Sequence, residues 1–108
     1  MFPFQTLDQI ERELDAMDCS RWLEQITTEL MDDRIGAEAE IRLLKCIAGN
    51  TYTPQYILDM LADHHDATIR CSAAKNISKT YHTTVKLSND CEKNVRDIIR
   101  ACYGIPLA

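Results

Sequence analysis

Residues 53–76 read TPQYILDMLADHHDATIRCSAAKN. Thr53 is a good helix N-cap, and Pro54 suits the first helical position, where its missing N–H costs nothing. Ile57, Leu58 and Leu61 then recur at helical spacing and form a buried stripe. The polar run Asp63-His64-His65-Asp66 breaks that pattern, and Asp66 is placed to cap a second helix. Ile69, Ala73 and Ala74 pack, and Asn76 ends the helix. Two such short helices cannot bury their apolar faces alone. They are marginal in isolation and must be held by neighbours.

Neighbours of the same kind are visible when the chain is shifted by 26 residues. Asn50 falls on Asn76, Ala48 on Ala74, Leu61 on Leu87 and Arg70 on Arg96. Asp63 meets Asn89, Asp66 meets Glu92 and Ile69 meets Val95. The matched positions are a helix stop, a core leucine, a cap and an apolar-Arg pair. An earlier copy ends at Ile41-Arg42, followed by Ala48-Gly49-Asn50. The expectation is a stack of short helical pairs sharing one continuous core.

Working outward, Thr6-Leu-Asp-Gln9 reads as a capping box. Leu7, Ile10, Leu14 and Met17 continue it as a helix to about Asp18. Ser20 is an expected N-cap for a helix with Trp22, Leu23, Ile26 and Leu30 on its apolar face, ending near Asp32-Asp33. Gly36 punctuates the chain. A helix from Ala37 to Ala48 buries Ile41, Leu44 and Ile47, and Gly49-Asn50 stops it through their tolerance of left-handed backbone angles. Residues 78–88, rich in Thr, have poor helix propensity and read as a distorted helix or a short 3₁₀ segment. Val95, Ile98, Ile99 and Cys102 face inward from a last helix, which Gly104-Ile-Pro106 ends.

The stretch Ile41–Asn76 resembles the leucine-rich repeat variant family, a HEAT-like group of short helical repeats. The resemblance rests on Ile41-Arg42, Ala48-Gly49-Asn50, Thr53-Pro54, Leu58 and Leu61, Leu61-Ala62-Asp63, and Ile69-Arg70. It spans about one and a half repeats, fades after Asn76, where Thr80-Tyr81 stands in place of Thr-Pro, and does not cover residues 1–35. It implies a right-handed α-solenoid with a concave face and no catalytic residues. Known members carry a cysteine cluster for an iron–sulfur centre. Cys19 alone does not match that cluster, so no cofactor is carried over.

The totals fit this picture. The chain has 108 residues, 45% of them apolar and 27% charged, with three Gly and three Pro. That is a single globular domain of helical composition, divided into an acidic helical hairpin (1–35) and two to three helical repeats (36–108). No apolar run approaches the ~20 residues of a membrane span. The N-terminus has neither the basic nor the apolar region of a secretory signal. A cytoplasmic location and reduced thiols are expected for the five cysteines at 19, 46, 71, 91 and 102, none of them in a CxxC pair. Cys46, Cys71 and Cys102 fall in apolar patterns, where Cys acts as a small hydrophobe.

The net charge of −5 is uneven. Residues 1–40 hold eleven Asp/Glu against three Lys/Arg, a net −8, and residues 41–108 hold six against nine, a net +3. Within 70–100, Arg70, Lys75, Lys79, Lys86, Lys93, Arg96 and Arg100 face only Asp90, Glu92 and Asp97. A basic face of this kind could bind nucleic acid through phosphate, but an overall pI near 5.1 argues against it. Arg70 and Arg96 recur at one position, where each is expected to pair with a nearby acid such as Asp63 or Asp66, or with a helix end.

His64 and His65 are the tempting metal or thiol-chemistry candidates, with Cys91 or His82. Adjacent histidines diverge, however, and metal sites favour i,i+4 spacing. A solvated turn explains them more simply. No phosphate loop, HExxH or GxSxG is present. Trp22 falls on an apolar stripe, which predicts a core position. A projecting hairpin would make it an interface aromatic instead. The sequence therefore favours a non-enzymatic protein–protein interaction module, with self-association a second expectation from an uncapped repeat end. Nucleic-acid binding ranks behind it, and a metal or thiol-redox regulator third. The candidate interaction residues are Trp22, His64, His65, Arg70, Lys79 and Arg96.

Overall fold

A computed structural model describes residues 6–30 and 36–103. Among them the chain forms seven α-helices and no strand. They are α1 (Leu7–Ala16), α2 (Ser20–Leu30), α3 (Ala37–Gly49), α4 (Gln55–Leu61), α5 (Ala67–Lys75), α6 (Tyr81–Ser88) and α7 (Lys93–Tyr103). The helix ends expected at Asp32-Asp33 and at Gly104-Ile-Pro106 lie outside the described residues. No helix among the described residues is long and apolar enough to cross a membrane.

The helices form two rows. In one row α1 packs on α3, α3 on α5, and α5 on α7. In the other, α4 touches α6, while α2 rests on α3. Between α1 and α2 themselves contact is sparse, so α3 holds the N-terminal pair together. The molecule measures 48 × 25 × 20 Å. One core runs through it, from Ile10, Leu14, Leu23 and Ile26 through Leu44, Ile47 and Leu61 to Ile69, Leu87, Val95 and Ile99.

Local chemistry sets most of the boundaries. The Thr6 hydroxyl accepts the Gln9 amide, and the Gln9 side chain accepts the Thr6 amide, so both halves of the capping box form. Asp66 accepts the Thr68 amide at 2.8 Å and caps α5. Gly36 precedes α3 at φ +91°, a region that disfavours any side chain.

Four local expectations are corrected. The Thr53 hydroxyl does not cap α4. It is buried and donates back to the Ile47 carbonyl at 2.6 Å, closing α3, while Pro54 is the N-cap. Ser20 is the first residue of α2, and its hydroxyl reaches the Tyr52 carbonyl. Asn50 ends α3 with extended angles (φ −82°, ψ 125°), so left-handed tolerance is not what places it there. Cys102 is exposed: it shares the inward face of Val95 and Ile99 but lies in the last turn of α7. The ambiguous stretch 78–88 contains a regular helix, α6. Thr80 caps it by accepting the Thr83 amide, and Thr83 and Leu87, one turn apart, face the core.

Candidate interaction surface

Two asparagines tie the segments together. Asn50 donates its side-chain amide to the carbonyls of Leu14 (2.6 Å) and Met17 (2.8 Å). Asn76, 26 residues later, donates to Ala48 and Asn50, each at 2.8 Å. In both, Oδ1 accepts the amide two residues on, from Tyr52 and from Ser78, at 2.8 Å. Both residues are buried, and their backbone angles nearly coincide. Each side chain adds a donor to carbonyls at or just beyond the C-terminal end of a helix.

The arginines are structural in a related way. Arg70 Nη1 donates to the carbonyl of His64, six residues back, at 2.8 Å, and Arg96 Nη1 does the same to Asp90 at 2.7 Å. Each clamps the turn that precedes its own helix. Arg70 also donates to the His65 carbonyl and forms a bidentate pair with Asp90, Nε–Oδ2 at 2.8 Å and Nη2–Oδ1 at 3.2 Å. The two side chains are only 10% and 7% exposed. The expected partners Asp63 and Asp66 are engaged elsewhere. Burial pushes the Asp90 carboxyl up, but the Glu92 amide and Arg70 pull it net below its ordinary value.

His64 is half-buried, and its ring stacks on His65 with centroids 4.4 Å apart, so the two adjacent histidines do not diverge as expected. Its Nδ1 accepts the Asp66 amide at 3.0 Å. Burial first, then His65, lowers its pKa. His82 lies instead on α6, 3.8 Å from Asp59. Among the described residues, no three His, Cys, Asp or Glu side chains converge in a metal-binding arrangement. Burial, reinforced by Asp15 and Glu11, pushes the Cys46 thiol up to about 12. Burial also raises Cys71. Both are therefore poor thiolates at neutral pH.

The cations of 70–100 are largely committed within the chain. Lys86 binds Asp59 (3.0 Å) and Asp63 (2.9 Å), Lys93 binds Asp97 (2.8 Å), and Lys79 donates to the Asn76 carbonyl (2.8 Å). Lys86, joined by the Thr83 hydroxyl, holds Asp59 below its ordinary value against a burial that pushes it up.

Trp22 is 53% exposed, which corrects its expected core position. Leu23, Ile26, Thr27 and Leu30 fill the inward stripe of α2, and Trp22 lies one residue off it. It belongs to a pattern that sequence reasoning missed. Tyr56 and Met60 are exposed one turn apart on α4, and Tyr81 (76%) and Val85 on α6. Tyr52 and Ile77 (84%) project from the loops entering those helices. All the large exposed apolar side chains among the described residues thus belong to the α2/α4/α6 row. The row is stitched together. Ser20 binds the Tyr52 carbonyl, Ser78 binds the Thr51 carbonyl, Tyr56 stands beside Glu24, and Lys86 bridges α6 to α4. The available signal was spacing: Tyr56/Met60 and Tyr81/Val85 repeat at i,i+4, each pair off the core stripe of its helix.

No protein-family model, no curated protein and no solved structure matches the chain.

Proposed function

We propose that this protein is a non-enzymatic helical-repeat interaction module, a short HEAT-like right-handed solenoid of the leucine-rich-repeat-variant kind, acting in the cytoplasm on a protein partner. The observation that carries the reading is the confinement of exposed Trp22, Tyr52, Tyr56, Met60, Ile77, Tyr81 and Val85 to one row of helices. Apolar surface gathered in this way marks interaction sites, and aromatic side chains dominate binding hot spots. The equivalent bonds of Asn50 and Asn76, and of Arg70 and Arg96, support the repeat reading.

The polar groups most suited to chemistry hold the framework instead. Arg70, Asp90, Asp59 and Lys86 bind one another or backbone, and Lys79 and Arg96 are likewise engaged. That arrangement weakens the nucleic-acid reading, which needs cations available to phosphate. The test is affinity capture from host lysate with nuclease, comparing the wild type with a Tyr56→Ser/Tyr81→Ser variant. A stoichiometric protein that the variant fails to retain is the expected result. Recovery only of nuclease-sensitive material, or capture indifferent to both substitutions, overturns the reading.

A further inference from the structure

We infer that the occupant of the α2/α4/α6 face is a second copy of this chain, docked face to face. The inference rests on that face being a protein-docking surface, and three observations select the occupant.

The first is area. Four aromatic side chains of ~200 Å² each, exposed by half or more, and three aliphatic ones offer on the order of 800 Å². A standard-size interface takes about that much from each partner.

The second is charge. Asp59 and Asp63 are both bridged by Lys86, and His82 and Thr83 also approach Asp59. A strongly basic ligand finds these carboxylates already engaged by Lys86, whereas an identical face brings apolar surface and carboxylates paired within their own copy. A two-fold axis sets one patch against itself, so self-complementarity is what such an interface requires.

The third is the state of the two terminal helices. Val95 and Ile99 of α7 are fully buried against α5 and α6, while Lys93 and Asn94 point to solvent. On α1, Ile10 and Leu14 are buried, and Asp8, Glu13 and Asp15 point outward. End-to-end stacking through an open apolar end therefore has no surface to use among the described residues.

The full chain is examined by sedimentation velocity over a wide concentration range, with fluorescence of its only tryptophan read in parallel. The expected mass rises from 12.4 kDa to twice that value. Trp22 emission moves to shorter wavelength over the same range. Met60→Lys and Tyr81→Lys, at exposed positions, each weaken association about tenfold, ~1.4 kcal/mol, with helical circular dichroism unchanged. A monomer at every concentration overturns the inference. The docking reading survives that outcome if the Tyr56→Ser/Tyr81→Ser variant still loses a captured protein. A dimer indifferent to both lysine variants places the contact elsewhere and also overturns it. Should the variants unfold, the wild type decides: doubled mass with unmoved Trp22 emission is the negative result.

Discussion

Asn76 repeats, 26 residues on, what Asn50 does: each gives both side-chain amide protons to carbonyls of the preceding segment and receives the backbone amide two residues later. Removing the Asn76 side chain leaves the Ala48 and Asn50 carbonyls without that donor in a buried place. Asn76→Ala is expected to cost roughly 2–4 kcal/mol. Asn76→Asp, which keeps the shape but cannot donate, is expected to cost at least as much. Urea unfolding of both variants measures this. A loss below that of an ordinary surface substitution would show that the bonds contribute nothing net.

The Arg70–Asp90 pair invites a double-mutant cycle. Either single replacement, Arg70→Met or Asp90→Ala, strands a buried charge and is expected to cost roughly 3–5 kcal/mol. The double variant should cost clearly less than the two combined. Additive losses would mean that the bidentate contact carries no coupling. Because the folded Asp90 carboxyl titrates below its ordinary value, its share of stability is fully present above about pH 4 and disappears as pH falls through the folded value.

His64 gives a second, higher pH window. Its folded pKa is lowered, so the folded state prefers the neutral ring. Glu40 and Asp66 oppose that shift, and His65 and Arg70 favour it. The unfolded chain binds the proton first, so stability is whole above about pH 6.5 and declines as pH drops toward the folded value. Protonation at Nδ1 also removes the acceptor for the Asp66 amide. Denaturant midpoints at pH 7.5 and pH 5.5 should differ in that direction. In His64→Gln the difference should shrink. An unchanged slope in the variant would assign the effect to other groups.

Thiol reactivity should sort the cysteines by burial. Cys91 and Cys102 are exposed and should label rapidly with a disulfide reagent. Cys46, partly buried and with its pKa pushed up to about 12, should label much more slowly than either. Rapid labelling of Cys46 in the Cys91→Ser/Cys102→Ser variant would contradict the packing of α3.

Adjacent residues of α2 should behave oppositely. Leu23→Ala, at a fully buried position, is expected to cost ~2–5 kcal/mol. Trp22→Ala should stay within about 0.5 kcal/mol of wild type in thermal unfolding while altering association. A large stability loss at Trp22 would place it in the core after all.

What the sequence made legible was local. The Thr6–Gln9 capping box, the Asp66 cap and the core stripes of α4 and α5 are written within three or four residues of one another. Trp22 was misplaced because a stripe one residue wider still fits the helical period. Helix α6 was obscured because propensity disfavours TYHTTVKLS, yet buried Thr83 finds Asp59 on α4 for its hydroxyl, a tertiary bond that overrides the intrinsic preference. Arg70 was expected to choose an acid nearby, but its partner lies twenty residues ahead and becomes adjacent only when α7 packs on α5. Asn50 and Asn76 were recognisable as helix ends. Their larger role depends on carbonyls 26 to 36 residues earlier, which no local pattern reveals.

The direction of the asparagine bonds has a consequence for how the molecule is made. Donors at 50 and 76 reach only backward, to acceptors at 14, 17, 48 and 50. A ribosome works in the same direction, adding ~5–20 residues per second. Every acceptor has therefore left the peptidyl-transferase centre before its donor is polymerised. Each new stretch can be laid onto one already emerged, so growth of the nascent chain and growth of the fold share a single polarity.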